Sequence, residues 1–461
     1  MNVVPVIGAG SEWHAFCSNY VRVFGANAAC RTSRGIIMSA YEWLQTEQSD
    51  DEKRRILKEY VSIVTGDNPG GFAFPKKLHL FPTRRCNLNC KHCYVNRKGS
   101  NSDRELETGA ILKLIERLRQ AGLESVKISG GEPLLRTDFS ELVRSILKMK
   151  LAVSVETNGL LLTQEIAEGV LDSPKVTVYI SLDHCDAEYH DLFRGVAGSH
   201  ERTLKSIALI GKLSCQSTVT TTANRMNLNS IPRLIDLVVS LGITKHRTLL
   251  NIHPLGSATN NMDLAIISNE MEQLVSTLLR TRHFQSGRAY CTLPPALTPL
   301  HMLKSVRTCE WGKSVIGLLS NGDISMCSAS YGDSALIASN VFEDDILDIW
   351  QNAALFAKLR KISGGRVDGI CGNCVLYPAC RGMCRMSSYS HYRELDAPYP
   401  LCQHAYNQGK FPSYALLNQE LQSYYGGEVI PTCRTHVAVR DDAIARLSSG
   451  NFEKRPYQDM A

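Results

Sequence analysis

The sequence predicts an α/β protein in which a partial (β/α)6 barrel occupies the middle of the chain and a cysteine-rich region follows it. Three observations lead there. The 461 residues exceed the roughly 100–200 of a typical domain. Between about residues 76 and 285, short β-branched runs alternate with helical patterns, the sign of a parallel sheet with crossover helices. The 16 cysteines gather mainly in two regions. A hydrophobic fraction of 44% and a charged fraction of 21% are those of a globular chain and exclude a collagen-like or disordered one. The net charge of +6 is spread without blocks, which argues against nucleic acid as a partner. No apolar run approaches the roughly 18 residues of a membrane span, and the opening Met1-Asn2-Val3-Val4 lacks a basic signal-peptide stretch, so the expectation is a cytoplasmic protein. In a reducing compartment so many cysteines point to metal binding or catalysis rather than disulfides.

Taken in order, residues 1–75 form an N-terminal segment. There Ser49-Asp50-Asp51-Glu52 reads as a capping box before an apolar face of Ile56, Leu57, Tyr60, Val61 and Val64. The expectation is a helix packed against the barrel, or a module that docks a peptide. The barrel, 76–285, has candidate strands at Leu78–Phe81, Val126–Ser129, Ala152–Thr157, Val176–Leu182, Ser217–Thr222 and Thr248–His253. Glu105–Gln120, Phe139–Met149, Glu201–Gly211 and Asn229–Val239 carry apolar residues at helical spacing. Six such units describe an open barrel, whose ligand site lies at the carboxyl ends of the strands. Residues 290–410 hold the later cysteines, and 411–461 form a tail.

Cys86-Asn87-Leu88-Asn89-Cys90-Lys91-His92-Cys93 follows the first strand directly, at that active end. Three clustered thiolates can hold three irons of a 4Fe-4S cube and leave the fourth open for chemistry. A structural zinc, closed by His92, is the competing reading of the same residues. Gly130-Gly131-Glu132-Pro133 follows the second strand; its glycines permit close backbone approach, and Glu132 supplies an acceptor for an ammonium group.

The CxxxCxxC spacing with Tyr94 after it, in register with Gly-Gly-Glu-Pro, resembles the radical S-adenosylmethionine (SAM) enzymes. The resemblance implies that Cys86, Cys90 and Cys93 carry the catalytic cluster and that Gly130, Gly131 and Glu132 engage the methionine amino group of the cofactor. It further implies polar cofactor contacts from Asn158 and from Ser181 and Asp183 toward a ribose, with Arg194 paired to the methionine carboxylate. Such enzymes reduce SAM to a 5′-deoxyadenosyl radical that abstracts a substrate hydrogen, while the protein orients and excludes water.

Downstream, Cys309 is followed by twelve residues, Gly322, four residues and Cys327; then come Cys371-x2-Cys374-x5-Cys380-x3-Cys384 and, after 17 residues, Cys402. Four of these thiols alone would also suit a zinc knuckle. All seven, with the glycine, resemble the SPASM extension of radical SAM enzymes, which holds two auxiliary iron-sulfur clusters. Carried over, Cys309, Cys327 and Cys384 bind the first and Cys371, Cys374, Cys380 and Cys402 the second. Cys291 is the nearest upstream candidate to complete the first; without it that cluster keeps an open iron. Gly322 reads as the tip of a hairpin joining Cys309 to Cys327.

The resemblance implies an oxidoreductase-type maturase of a peptide or protein, served by a flavodoxin- or ferredoxin-like electron donor. Two other enzymatic readings are a small-molecule dehydrogenase and a sulfatase-maturing, formylglycine-forming enzyme. The latter branch carries an Asp beside the second Cys of the first auxiliary pair, where this chain has Ser328. A structural zinc or electron-transfer protein is the non-enzymatic alternative.

Overall fold

The computed structural model describes residues 49–65, 73–95, 105–330, 333–365 and 367–417. The first 48 residues, where most of the expected peptide-docking segment falls, lie outside them, as does the tail from residue 418.

Six parallel strands form, the first five where the sequence places them: β1 (Lys77–Leu80), β2 (Ser125–Ile128), β3 (Ala152–Thr157), β4 (Val176–Ser181), β5 (Gln216–Thr222) and β6 (Lys245–Leu249). Helices Thr108–Gln120, Phe139–Lys148, Ser199–Ile210 and Ile231–Ser240 cross between them. Strand residues alternate between two environments. Leu78, Leu80, Val126, Ile128, Val153, Val155, Val178 and Ile180 are buried against the helices. The intervening side chains, His79, Lys127, Glu156 and Tyr179, face the other side, which is polar. Glu156 on β3 reaches Arg247 on β6, three strands away in the order, at 3.3 Å. A flat sheet would keep them far apart, so the sheet is rolled into an open barrel with a polar lumen.

The sixth strand begins three residues before its expected position. Lys245, His246 and Arg247 do not read as a strand because the lumen accepts charge where an apolar alternation was sought. The sheet is also larger than six strands. β7 (Ala289–Cys291) adds in parallel to β6, and β8 (Val315–Leu318) adds in parallel to β1. β9 (Asp323–Ser325) and β10 (Ile337–Asn340) continue antiparallel from β8 in a ten-stranded order. Gly322, at φ +91°, stands in the β8–β9 turn as expected.

The helix Asp50–Thr65 forms behind Ser49, whose hydroxyl accepts from the Glu52 amide at 3.3 Å. It buries Leu57, Tyr60 and Val61, leaving Val64 exposed. Its seat corrects the expectation of packing on the barrel: it lies against segments Tyr377–Cys380 and Leu300–Ser305 of the cysteine-rich region and against Ser413–Ala415 just after it. Ser413 Oγ donates to Asp50 at 2.7 Å, and Lys53 stands over the Tyr414 ring. Among the described residues no helix is long and apolar enough to cross a membrane.

Candidate active site and thiol clusters

The loop Cys86–Cys93 leaves the end of β1 and is clamped from two sides. On one, the Gly131 amide donates to the Thr83 carbonyl at 2.9 Å and the Glu132 amide to the Arg85 carbonyl at 2.8 Å. A Cβ on Gly131 would lie 2.1 Å from the Arg85 oxygen, and one on Gly130 (φ +136°) 2.8 Å from that of Thr83, so both positions require glycine. On the other, the Asn89 amide donates to the Arg194 carbonyl at 3.0 Å and that of Lys91 to Phe193 at 2.9 Å, at the end of helix Ala187–Arg194. A third contact was not legible in the sequence: the Ala258 amide donates to the Cys93 carbonyl at 3.2 Å, beside Gly256.

The polar residues expected around this loop are brought together, with some partners different from those anticipated. Glu132 is fully buried and accepts from Thr157 Oγ1 (2.7 Å) and the amides of Asn158 (2.8 Å) and Leu134 (3.1 Å). Burial pushes its carboxyl up to about 7, against the downward pull of those hydrogen bonds. Its carboxylate therefore braces the turn and the end of β3, a role the sequence did not disclose. Asn158 Nδ2 donates to Asn87 Oδ1 at 2.7 Å, tying β3 to the cysteine loop. Asp183 and Arg194 pair with each other at 2.6 Å, and Arg194 Nη1 approaches Cys90 Sγ at 3.7 Å. Burial is the largest influence on the Asp183 carboxyl and would raise it, but Arg194, His92, His190 and the Thr222 amide together outweigh it and the net shift is downward. Arg194 Nε is buried without a hydrogen-bond partner, an N–H left for an incoming anion. Ser181 ends β4 with its side chain half-buried. His92, which would close a zinc site, lies flat on Phe193 with ring centroids 4.6 Å apart.

Of the seven later thiols, Cys371, Cys374, Cys380 and Cys402 are buried, and Cys309, Cys327 and Cys384 are half-buried. Burial raises Cys309 to about 11 and Cys327 to about 12, and the charges of Cys309, Cys327 and Cys384 act on one another. Cys371, Cys374, Cys380 and Cys402 likewise act on one another, all raised by burial, Cys380 to about 12. These four line one small cavity, of about 20 Å³, whose other walls include Pro294, Ala296 and Phe411. Beside it Arg385 is fully buried, donating to the carbonyls of Leu395 and Ala397, with Nε unpartnered. The Tyr399 amide donates to Cys371 Sγ at 3.2 Å. Four thiols around a cavity, with a buried cation alongside, fit an anionic 4Fe-4S cube. Among the described residues no group of three or more Cys, His, Asp or Glu side chains is arranged to hold a metal ion. Cys291 ends β7; burial pushes it to about 12, with no contribution from the other thiols.

Residues 80–238 match the Radical SAM superfamily, and residues 309–375 match SPASM, described as an iron-sulfur cluster-binding domain. The mycofactocin maturase MftC of Mycobacterium tuberculosis is 30% identical over 331 residues, covering 71% of this chain and 82% of that one. The chain belongs to the radical SAM superfamily. Within it, the AdoMet-dependent heme synthase of Methanosarcina barkeri is 28% identical over 353 residues, covering 73% of this chain and 98% of that one. Among solved folds, Streptococcus suis SuiB bound to its precursor peptide SuiA superposes with a TM-score of 0.58 at 20% identity, over 75% of this chain and 79% of that one. As a radical SAM and SPASM protein, the chain is an enzyme that uses 4Fe-4S clusters and SAM.

Proposed function

We propose that this radical SAM enzyme removes a hydrogen atom from a peptide or protein and thereby crosslinks or oxidises it during maturation. The observation that carries the reading is the pair of backbone hydrogen bonds from Gly131 and Glu132 to the carbonyls of Thr83 and Arg85, in the segment that leads directly into the loop Cys86–Cys93. It sets three thiols and a cofactor-binding turn at one barrel end, as the chemistry requires. In this reading Cys86, Cys90 and Cys93 hold the cluster that, with SAM bound, supplies the radical. The Gly130–Glu132 turn holds the methionine amino end, the free N–H of Arg194 takes its carboxylate, and Ser181 faces its ribose side. Asp183 acts through Arg194 by fixing it, and Asn158 acts by fixing the loop. The barrel of 76–285 provides this site; the region 290–410 holds two auxiliary clusters, on Cys309, Cys327 and Cys384 and on Cys371, Cys374, Cys380 and Cys402. Electrons enter from a flavodoxin- or ferredoxin-like donor.

The maturase relative and the peptide-bound fold relative favour a peptide substrate. The heme synthase, matched over 98% of its length, favours a second reading, oxidation of a small molecule. Reconstituted enzyme with SAM, a reductant and short peptides encoded beside its gene decides between them. A peptide whose mass falls by whole hydrogens, or by a larger fragment, supports the maturase. SAM cleavage with every peptide unchanged removes it in favour of the small molecule.

A further inference from the structure

Deeper in the barrel, three charged side chains meet on the lumenal face. Lys127 Nζ lies 2.8 Å and Arg247 Nη2 3.3 Å from Glu156 Oε1, and Ser129 Oγ donates to Glu156 Oε2 at 2.9 Å. The Arg247 guanidinium covers the Tyr179 ring at 4.8 Å. Although enclosed by strands, these side chains keep 29% (Lys127), 24% (Glu156) and 20% (Arg247) of their surface accessible, so open space remains in front of them. One layer nearer the active end, Ser181, Thr220, Arg247 and Tyr290 are successive register partners on β4 to β7. In that row Thr220 Oγ1 and Arg247 Nε have no hydrogen-bond partner.

The charge of the lumen is unbalanced. Two cations face one carboxylate, and burial holds the neighbouring His79 neutral, at about 3. Lys127 is the closer of the two to Glu156, at 2.8 Å against 3.3 Å for Arg247. Arg247 is left as the cation without a full counter-charge, beside an unpartnered hydroxyl and under the row that Ser181 begins. Unsatisfied donors grouped around a guanidinium match an oxyanion, which on a peptide substrate is a carboxylate.

We propose that Arg247, with Thr220 and Tyr290, forms a subsite for a carboxylate of the substrate, either a C-terminal carboxyl or an acidic side chain. The inference rests on the reading that the substrate enters this barrel. Its test is calorimetric binding of three probes to the anaerobically reconstituted enzyme with SAM present: N-acetyl-leucine, N-acetyl-leucinamide, and N-acetyl-glutamic acid α-amide. At least one acid binds about tenfold or more tightly than the leucinamide, and which acid does so distinguishes the two sources. Arg247→Gln abolishes the preference and Arg247→Lys restores part of it, with iron content as the folding control. Should Arg247→Gln lose iron because Glu156 is left with a weaker partner, Thr220→Val carries the test and weakens acid binding several-fold. Equal binding of acid and amide, no binding of any probe, or a preference unchanged in the variants overturns the subsite. Formation of 5′-deoxyadenosine by the wild-type enzyme is read separately: SAM cleavage without acid preference sinks the subsite alone, and acid preference without SAM cleavage sinks the radical reading alone.

Discussion

At the scale of single residues, the site depends on the absence of one side chain and on one buried carboxyl, that of Glu132. A methyl group on Gly131 would meet backbone at 2.1 Å, so the loop of Cys86–Cys93 must shift. Gly131→Ala is predicted to lose about four irons per chain while the C-terminal groups keep theirs, read by iron and sulfide assay. Glu132 carries a pH signature. Its carboxyl titrates at about 7 in the folded chain against an ordinary 4.5, so the folded state keeps the proton longer than the unfolded one. Stability contributed by the neutral form is present below pH 4.5 and is lost as pH rises to about 7, by roughly 3 kcal/mol in all. Pulse proteolysis of the enzyme without SAM, at pH 5.5 and 8, should show that decline in the wild type and a flatter one in Glu132→Gln. At this scale the cysteines and glycines were legible because chemistry and close approach restrict them to one residue type. The pairing of Asp183 with Arg194 and the brace made by Glu132 were not, because a carboxylate in a sequence does not name its partner.

At the scale of elements, patterning located strands and helices where one face is apolar, and it slipped where that pattern fails. β3 was read to the residue because Val153 and Val155 alternate with polar neighbours. β6 was placed too late because Lys245 and Arg247 do not resemble a strand until the polar lumen is known. Short β7 and β8, three and four residues long, carry too little periodicity to be recognised. The helix Asp50–Thr65 shows the same limit differently: its amphipathic face was evident, but periodicity says which face is buried and not against what. Leu57, 1% exposed, sits at the centre of that face. Leu57→Ala should destabilise the chain by about 3 kcal/mol. Hydrogen exchange should quicken first in 377–380 and 413–415, where the helix docks, rather than in the barrel strands.

At the scale of the whole molecule, the barrel and the cysteine-rich region are parts of one construction. β8 pairs with β1, whose end leads into the cysteine loop, and its turn at Gly322 leads to Cys327. The larger of the hydrophobic clusters runs without a break from Leu57 through the strands to Phe411. That continuity fixes the first auxiliary thiols relative to the barrel: Tyr94, next to Cys93, feels the charge of Cys327. The central claim is that three separate thiol groups each hold a four-iron cube and that the first performs the chemistry. Its most direct test is iron, acid-labile sulfide and zinc per chain in anaerobically reconstituted wild type and Cys90→Ala. About twelve irons with matching sulfide, falling to about eight in the variant with loss of 5′-deoxyadenosine formation, is the predicted result. One or two zincs with little iron would contradict it.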